Sequence, residues 1–109
     1  MARYTSERNE IKHIIQIDRQ IPMGGIVEIK LNSGGNEEGV LMSSHSGNNG
    51  GAGGSWQYYG ELTLMTKNRR IINIDLLDIK SILQAWTDTK ITEYENLGLI
   101  KMVDYPDKF

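Results

Sequence analysis

The feature that most constrains this chain is a change of rhythm between Gly24 and Ile82. Side chains alternate there with a period of two, and a glycine-rich gap interrupts the alternation. From Ile26 to Leu31, Val27, Ile29 and Leu31 fall on one side and the charged Glu28 and Lys30 on the other, the pattern of a strand with one wet face. Asn32-Ser33-Gly34-Gly35-Asn36 supplies residues that tolerate positive φ, and Gly39-Val40-Leu41-Met42 returns as a second strand. A second hairpin follows: Trp56 to Thr66, a tight turn at Lys67-Asn68-Arg69, then Arg70 to Ile74. Tyr58, Leu62 and Leu64 share one face of that first strand; Tyr59, Glu61, Thr63 and Met65 share the other. If these strands enclose a common interior, Ile29, Leu41, Leu62 and Ile72 belong in it.

The flanks read differently. Ile11, Ile14 and Ile15 line one helical face, with Thr5 or Ser6 as cap, which predicts a short helix ending about Gln16; Ile15 and Ile17 also alternate as in a strand. Pro22 and Gly24-Gly25 stop whatever precedes them. Residues 75–86 admit two readings: a helix placing Leu76, Ile79, Leu83 and Trp86 on one face, or a one-turn connector over Asp75–Asp78 followed by a strand over Lys80–Gln84. The second is preferred. Thr92-Glu93-Tyr94-Glu95 matches a capping box, Gly98 fits a helix stop, and Leu99–Val103 fits a short strand.

The expected organisation is therefore a single domain over 1–109, with a β core at 24–82, a mobile glycine-rich loop at 43–55 and a C-terminal extension at 83–109. The loop, Ser43 to Ser55, has almost no apolar surface to bury and much backbone entropy to lose. A length of 109 residues with 39% hydrophobic content supports one modest core. With no cysteine, disulfides and thiolate chemistry are excluded. Neither a signal-peptide core nor an apolar run of membrane-spanning length occurs, so a cytoplasmic location and no membrane partner are expected.

With both hairpins placed, residues 24–82 resemble an Sm-like or SH3-like small β-barrel. The resemblance rests on Val27-Glu28-Ile29-Lys30-Leu31, Gly34, Glu38-Gly39-Val40-Leu41, Gly60-Glu61-Leu62-Thr63-Leu64, and Ile72-Asn73-Ile74 followed by Asp78-Ile79-Lys80-Ser81-Ile82. It implies a mainly β (α+β) fold of about five antiparallel strands, with a glycine in a strongly bent second strand and an oligomeric habit. The family holds uridine with an Asp and Asn after the second strand and an Arg-Gly turn before the last. Those regions read Met42-Ser43-Ser44-His45-Ser46 and Lys67-Asn68-Arg69-Arg70 here, so the uridine site does not carry over.

No reactive constellation emerges. His13 and His45 lie in separate segments, whereas a catalytic zinc needs three protein ligands. Glu37 and Glu38 are neighbours on a strand and diverge; the loop serines lack a nucleophile elbow; the glycines match no phosphate-binding motif. No catalytic residue, metal or cofactor is expected. The candidate binding residues are Trp56 and Tyr59, where the loop rejoins the sheet, and Lys67, Arg69 and Arg70, the one basic cluster. The expected function is a non-catalytic binding or assembly module whose partner is itself or another protein. The alternatives are single-stranded nucleic acid held by Trp56, Tyr59, Arg69 and Arg70, which a net charge of -2 disfavours, and a small-ligand protein or enzyme with the glycine loop and His45 as a lid.

Overall fold

The computed structural model describes residues 2–101. The order is helix α1 (Arg8–Gln20), strands β1 (Ile26–Leu31), β2 (Asn36–Asn48), β3 (Tyr58–Met65), β4 (Ile71–Asp75) and β5 (Ile79–Gln84), then helix α2 (Asp88–Asn96). All five strands form one antiparallel sheet in the order β4-β3-β2-β1-β5. The fold is mainly β with two short helices, as the alternation predicts. The small barrel that the resemblance implies is not formed: the sheet is open, with β4 and β5 as its two outer strands, which do not pair with each other.

The inner face carries the core. Val27, Ile29, Leu62, Leu64, Ile74, Leu76 and Ile79 pack with Ile14 and Ile17 of α1, and Leu41, Ile72, Tyr58 and Ile82 lie against them. The four side chains expected to share an interior therefore do. A second, smaller cluster forms on the outer face, where Tyr94 of α2 packs with Ile26 and Ala85, bordered by Val40, Leu99 and Ile100. Because β1 alternates, Val27 and Ile29 serve the first cluster while Ile26 serves the second.

Five local expectations need correction. α1 continues to Gln20 rather than ending at Gln16, because Ile14 and Ile17, one turn apart, are both buried and tertiary packing outweighs the middling propensity of isoleucine. Its cap is Glu7, whose carboxylate accepts from the amides of Asn9 and Glu10 at 3.1 and 2.8 Å. Thr5 is instead drawn into the sheet, its amide and carbonyl both bonded to Tyr58 at 2.8 Å.

The glycine-rich loop is shorter than its composition implies. Ser43–Asn48 continue β2 and pair with Tyr58–Thr63 of β3, past a register shift between Leu41 and Ser43. These residues are mostly exposed, so backbone hydrogen bonding rather than burial holds them, and a hydrophobicity argument has nothing to detect. Asn49 organises the remaining connection: its side chain donates to Ser55 O at 2.9 Å and accepts from the amides of Gly51 and Gln57, each at 3.0 Å.

α2 begins earlier than the capping box suggested. Thr87 is the cap, accepting from the Lys90 amide, and Thr92 lies inside the helix. The helix does stop at Gly98, whose φ of 73° lets the Leu99 amide reach Tyr94 O at 3.0 Å and its own amide reach Glu95 O at 2.9 Å. Residues 99–101 are not in a strand, and the rest of the expected strand lies outside the described residues. Residues 75–86 follow the preferred reading: a single 3-10 turn at Leu76–Asp78, capped by Asp75, leads into β5. A helix would have required one face to hold both the fully buried Leu76 and the exposed Leu83 and Trp86.

Candidate association surface

The two outer strands are finished differently. Along β5, His13 and Gln20 of α1, seven residues apart and so on one helix face, reach the open side of the strand. His13 Nε2 donates to Ile79 O at 2.6 Å, and Gln20 Oε1 accepts from the Ile82 amide at 3.0 Å. β5 also carries Lys80, an exposed charge of the sort that discourages edge pairing.

β4 has no covering helix, and its one charge, Asp75, stands at the end of the strand, its carboxylate accepting from the Arg3 amide at 3.1 Å and the Leu77 amide at 2.9 Å. Thr66 N donates to Arg70 O at 2.8 Å across the turn, which makes Thr66 and Arg70 a hydrogen-bonded pair. By alternation, Ile72 and Ile74 then direct their backbone groups toward β3, while Ile71, Asn73 and Asp75 direct theirs to the open edge. The Ile71 and Asn73 backbone groups and the Asp75 amide have no hydrogen-bond partner among the described residues, whereas Asp75 O accepts the first bond of the turn at Leu76–Asp78. Ile71 is 58% exposed beside them. The Asn73 side chain accepts from Thr63 Oγ1 at 2.6 Å, leaving its amide nitrogen without a partner among the described residues.

The candidate binding residues do not gather into one surface. Trp56, exposed, lies over Gly51, where an added Cβ would come within 2.8 Å of the indole. Tyr59 is half-buried and meets the ring of Tyr4, centroids 5.1 Å apart and tilted by 53°. Lys67, Arg69 and Arg70 occupy the far end of β3, roughly 20 Å away at ~3.3 Å per residue. Two of these bases already have internal partners. Lys67 Nζ pairs with Glu93 at 2.9 Å and Glu38 at 3.5 Å and lies 5.7 Å from the Tyr94 ring. Arg69, left-handed with φ of 64° in the turn, donates to Leu97 O at 2.7 Å. Neither arginine has an ion pair among the described residues, and Arg70 alone of the three has no side-chain hydrogen bond there.

Sequence reasoning missed the group that organises this end of the molecule. Glu38 accepts from Lys90 Nζ and from the Tyr94 hydroxyl, each at 2.7 Å, and so fastens α2 to the sheet. Burial pushes the Glu38 carboxyl up, but the hydrogen bonds from Lys90 and Tyr94, with the charge of Lys67, outweigh it and hold it below the ordinary carboxylate value. Burial, followed by the hydrogen bond to Glu38, raises the Tyr94 phenol. The one local sign was a charge on the wet face of a strand; its partners lie more than fifty positions away.

Concavities are shallow. An open groove of about 290 Å³ crosses Glu28, Lys30, Ser81 and Leu83 on the outer face. His45 sits in β2 opposite Glu61, in a hollow of about 220 Å³ shared with Tyr4 and Tyr59. Among the described residues no three His, Asp or Glu side chains converge as a metal site would require. No helix among them is long and apolar enough to cross a membrane. No protein-family model, curated protein or solved structure matches this chain.

Proposed function

We propose that this chain is a non-catalytic, self-associating assembly module built on a small β sheet. The observation that carries the reading is the open β4 edge. It presents the backbone groups of Ile71 and Asn73 and the Asp75 amide beside an exposed isoleucine, with no proline or covering helix along the strand and its one charge, Asp75, at the far end. Such an edge takes another strand by completing its hydrogen-bond ladder, a mode that needs no pocket and no reactive side chain. The dispersed histidines and carboxylates fit this role, since Glu38, Lys90, Lys67 and Glu93 are occupied in fastening α2.

The test is the mass of the intact chain by multi-angle light scattering at micromolar concentration. A discrete oligomer that dissociates on dilution supports the reading. A monomer throughout that range removes it.

A further inference from the structure

Resting on that reading, we infer that self-association is isologous: β4 of one copy pairs antiparallel with β4 of a second, about a two-fold axis at Asn73, to give one continuous ten-stranded sheet. Two kinds of edge contact are geometrically open to a sheet of this form. A head-to-tail contact would set β4 of one copy against β5 of the next and leave a free edge at each end unless the chain of copies closed into a ring. The structure argues against that arrangement because β5 is already covered. His13 and Gln20 satisfy Ile79 O and the Ile82 amide from within the same molecule, and α1 carrying them is anchored by the buried Ile14 and Ile17. A neighbour's strand would have to displace those bonds, and β4 asks for no such displacement.

β4 is also complementary to itself. Residues directly opposite in an antiparallel ladder must point to the same face, so a two-fold axis perpendicular to the sheet has to pass at a residue. With the axis at Asn73, all five positions of the strand are used: Ile71 faces Asp75, Ile72 faces Ile74 and Asn73 faces Asn73 of the second copy. Ile71, Asn73 and Asp75 then meet their counterparts and form about four hydrogen bonds, two at the Asn73 pair and one from each Asp75 amide to Ile71 O, since Asp75 O is held by the turn that follows. On the inner face, Ile72 and Ile74 meet across the axis and continue the apolar stripe of the core. On the outer face the Asn73 amide nitrogen, without a partner among the described residues, meets the side-chain oxygen of its symmetry mate.

The chain has no cysteine, so a single introduced thiol reports the axis. Directly bonded antiparallel residues lie with Cα atoms about 5.5 Å apart, inside the range a disulfide spans. Under mild oxidation Asn73→Cys should therefore convert nearly completely to a covalent dimer on a non-reducing gel, while Lys80→Cys, on the β5 edge, stays a thiol. In parallel, Ile71→Glu, which sets like charges opposite Asp75 at both symmetry-related positions, should shift the scattering mass from dimer to monomer with the circular dichroism spectrum unchanged. If the wild type scatters as an oligomer but Asn73→Cys does not cross-link, the two-fold axis is refuted and self-association stands. A ladder of species appearing only in the Asn73→Cys/Lys80→Cys double variant refutes it in favour of head-to-tail assembly. A monomeric wild type removes both the inference and the reading beneath it.

Discussion

Gly39 is the position where the structure gives the sharpest quantitative expectation. It is buried in β2 beside Met65, and a Cβ built on it would stand 2.5 Å from Met65 O and 3.3 Å from Leu64 Cβ. The obstacle is the backbone carbonyl of a paired strand, which no rotamer change can move aside. Gly39→Ala therefore has to push β2 and β3 apart by nearly 1 Å where Val40 pairs with Met65. Overpacking of this kind costs about 1–3 kcal/mol. A ladder hydrogen bond stretched out of range adds about 0.5–1.5 kcal/mol. Against that, alanine restricts the unfolded chain and returns about 0.4–1 kcal/mol. The expected net loss is about 2 kcal/mol, which at a slope of about 2 kcal/mol/M moves the urea midpoint down by about 1 M. Gly24→Ala is the matched control: nothing lies within 4 Å of its added Cβ and its φ is not positive, so the midpoint should hold or rise slightly. Both are measured by tryptophan fluorescence at one protein concentration. Coincident midpoints would refute the argument that β2 needs glycine for space at this crossing.

Other expectations follow from the α2 attachment. Glu38→Gln should destabilise the protein by about 1–3 kcal/mol at neutral pH, because the ammonium of Lys90 and the hydroxyl of Tyr94 lose a charged acceptor. Since the folded carboxyl titrates below its unfolded value of 4.5, its contribution is complete above that pH and lost as pH falls through the folded value. The stability gap between wild type and Glu38→Gln should accordingly close in acid, and a gap constant with pH would contradict the assignment. Arg69 holds a left-handed conformation and also bonds Leu97 O, so Arg69→Ala should destabilise by about 1 kcal/mol while Arg69→Gly, relieving the turn, stays near neutral. Amide exchange at Gly98 and Leu99 should quicken in both variants; protection unchanged from wild type would show that the guanidinium does not hold the end of α2.

The local elements were legible where one physical cause acts alone. Alternation at Val27 and Ile29 and at Leu62 and Leu64 identified the inner face, because period two is fixed by strand geometry and the burial that follows is near total. Gly98 was legible as a helix stop because a left-handed residue is needed there whatever surrounds it. The extension of β2 through Ser43–Asn48 was not legible. Its stabilisation comes from a ladder with β3 that any sequence without proline can donate. The same holds for the candidate residues: Lys67, Arg69 and Arg70 are contiguous as charges, but only the tertiary fold gives Glu93, Glu38 and Leu97 O as partners for the first two.

What the amino-acid order determined by itself was a chain of five β segments with one greasy side, flanked by helical pieces. Side-chain periodicity and turn chemistry act between near neighbours, and they suffice for that. Which strand stands at which border, and which border α1 seals, depended on contacts between residues more than sixty positions apart, such as His13 with Ile79 and Gln20 with Ile82. Those contacts leave no local trace, since a histidine or glutamine on a helix face looks the same whether it meets water or a strand. The fold alone decided that β4 is the edge left open.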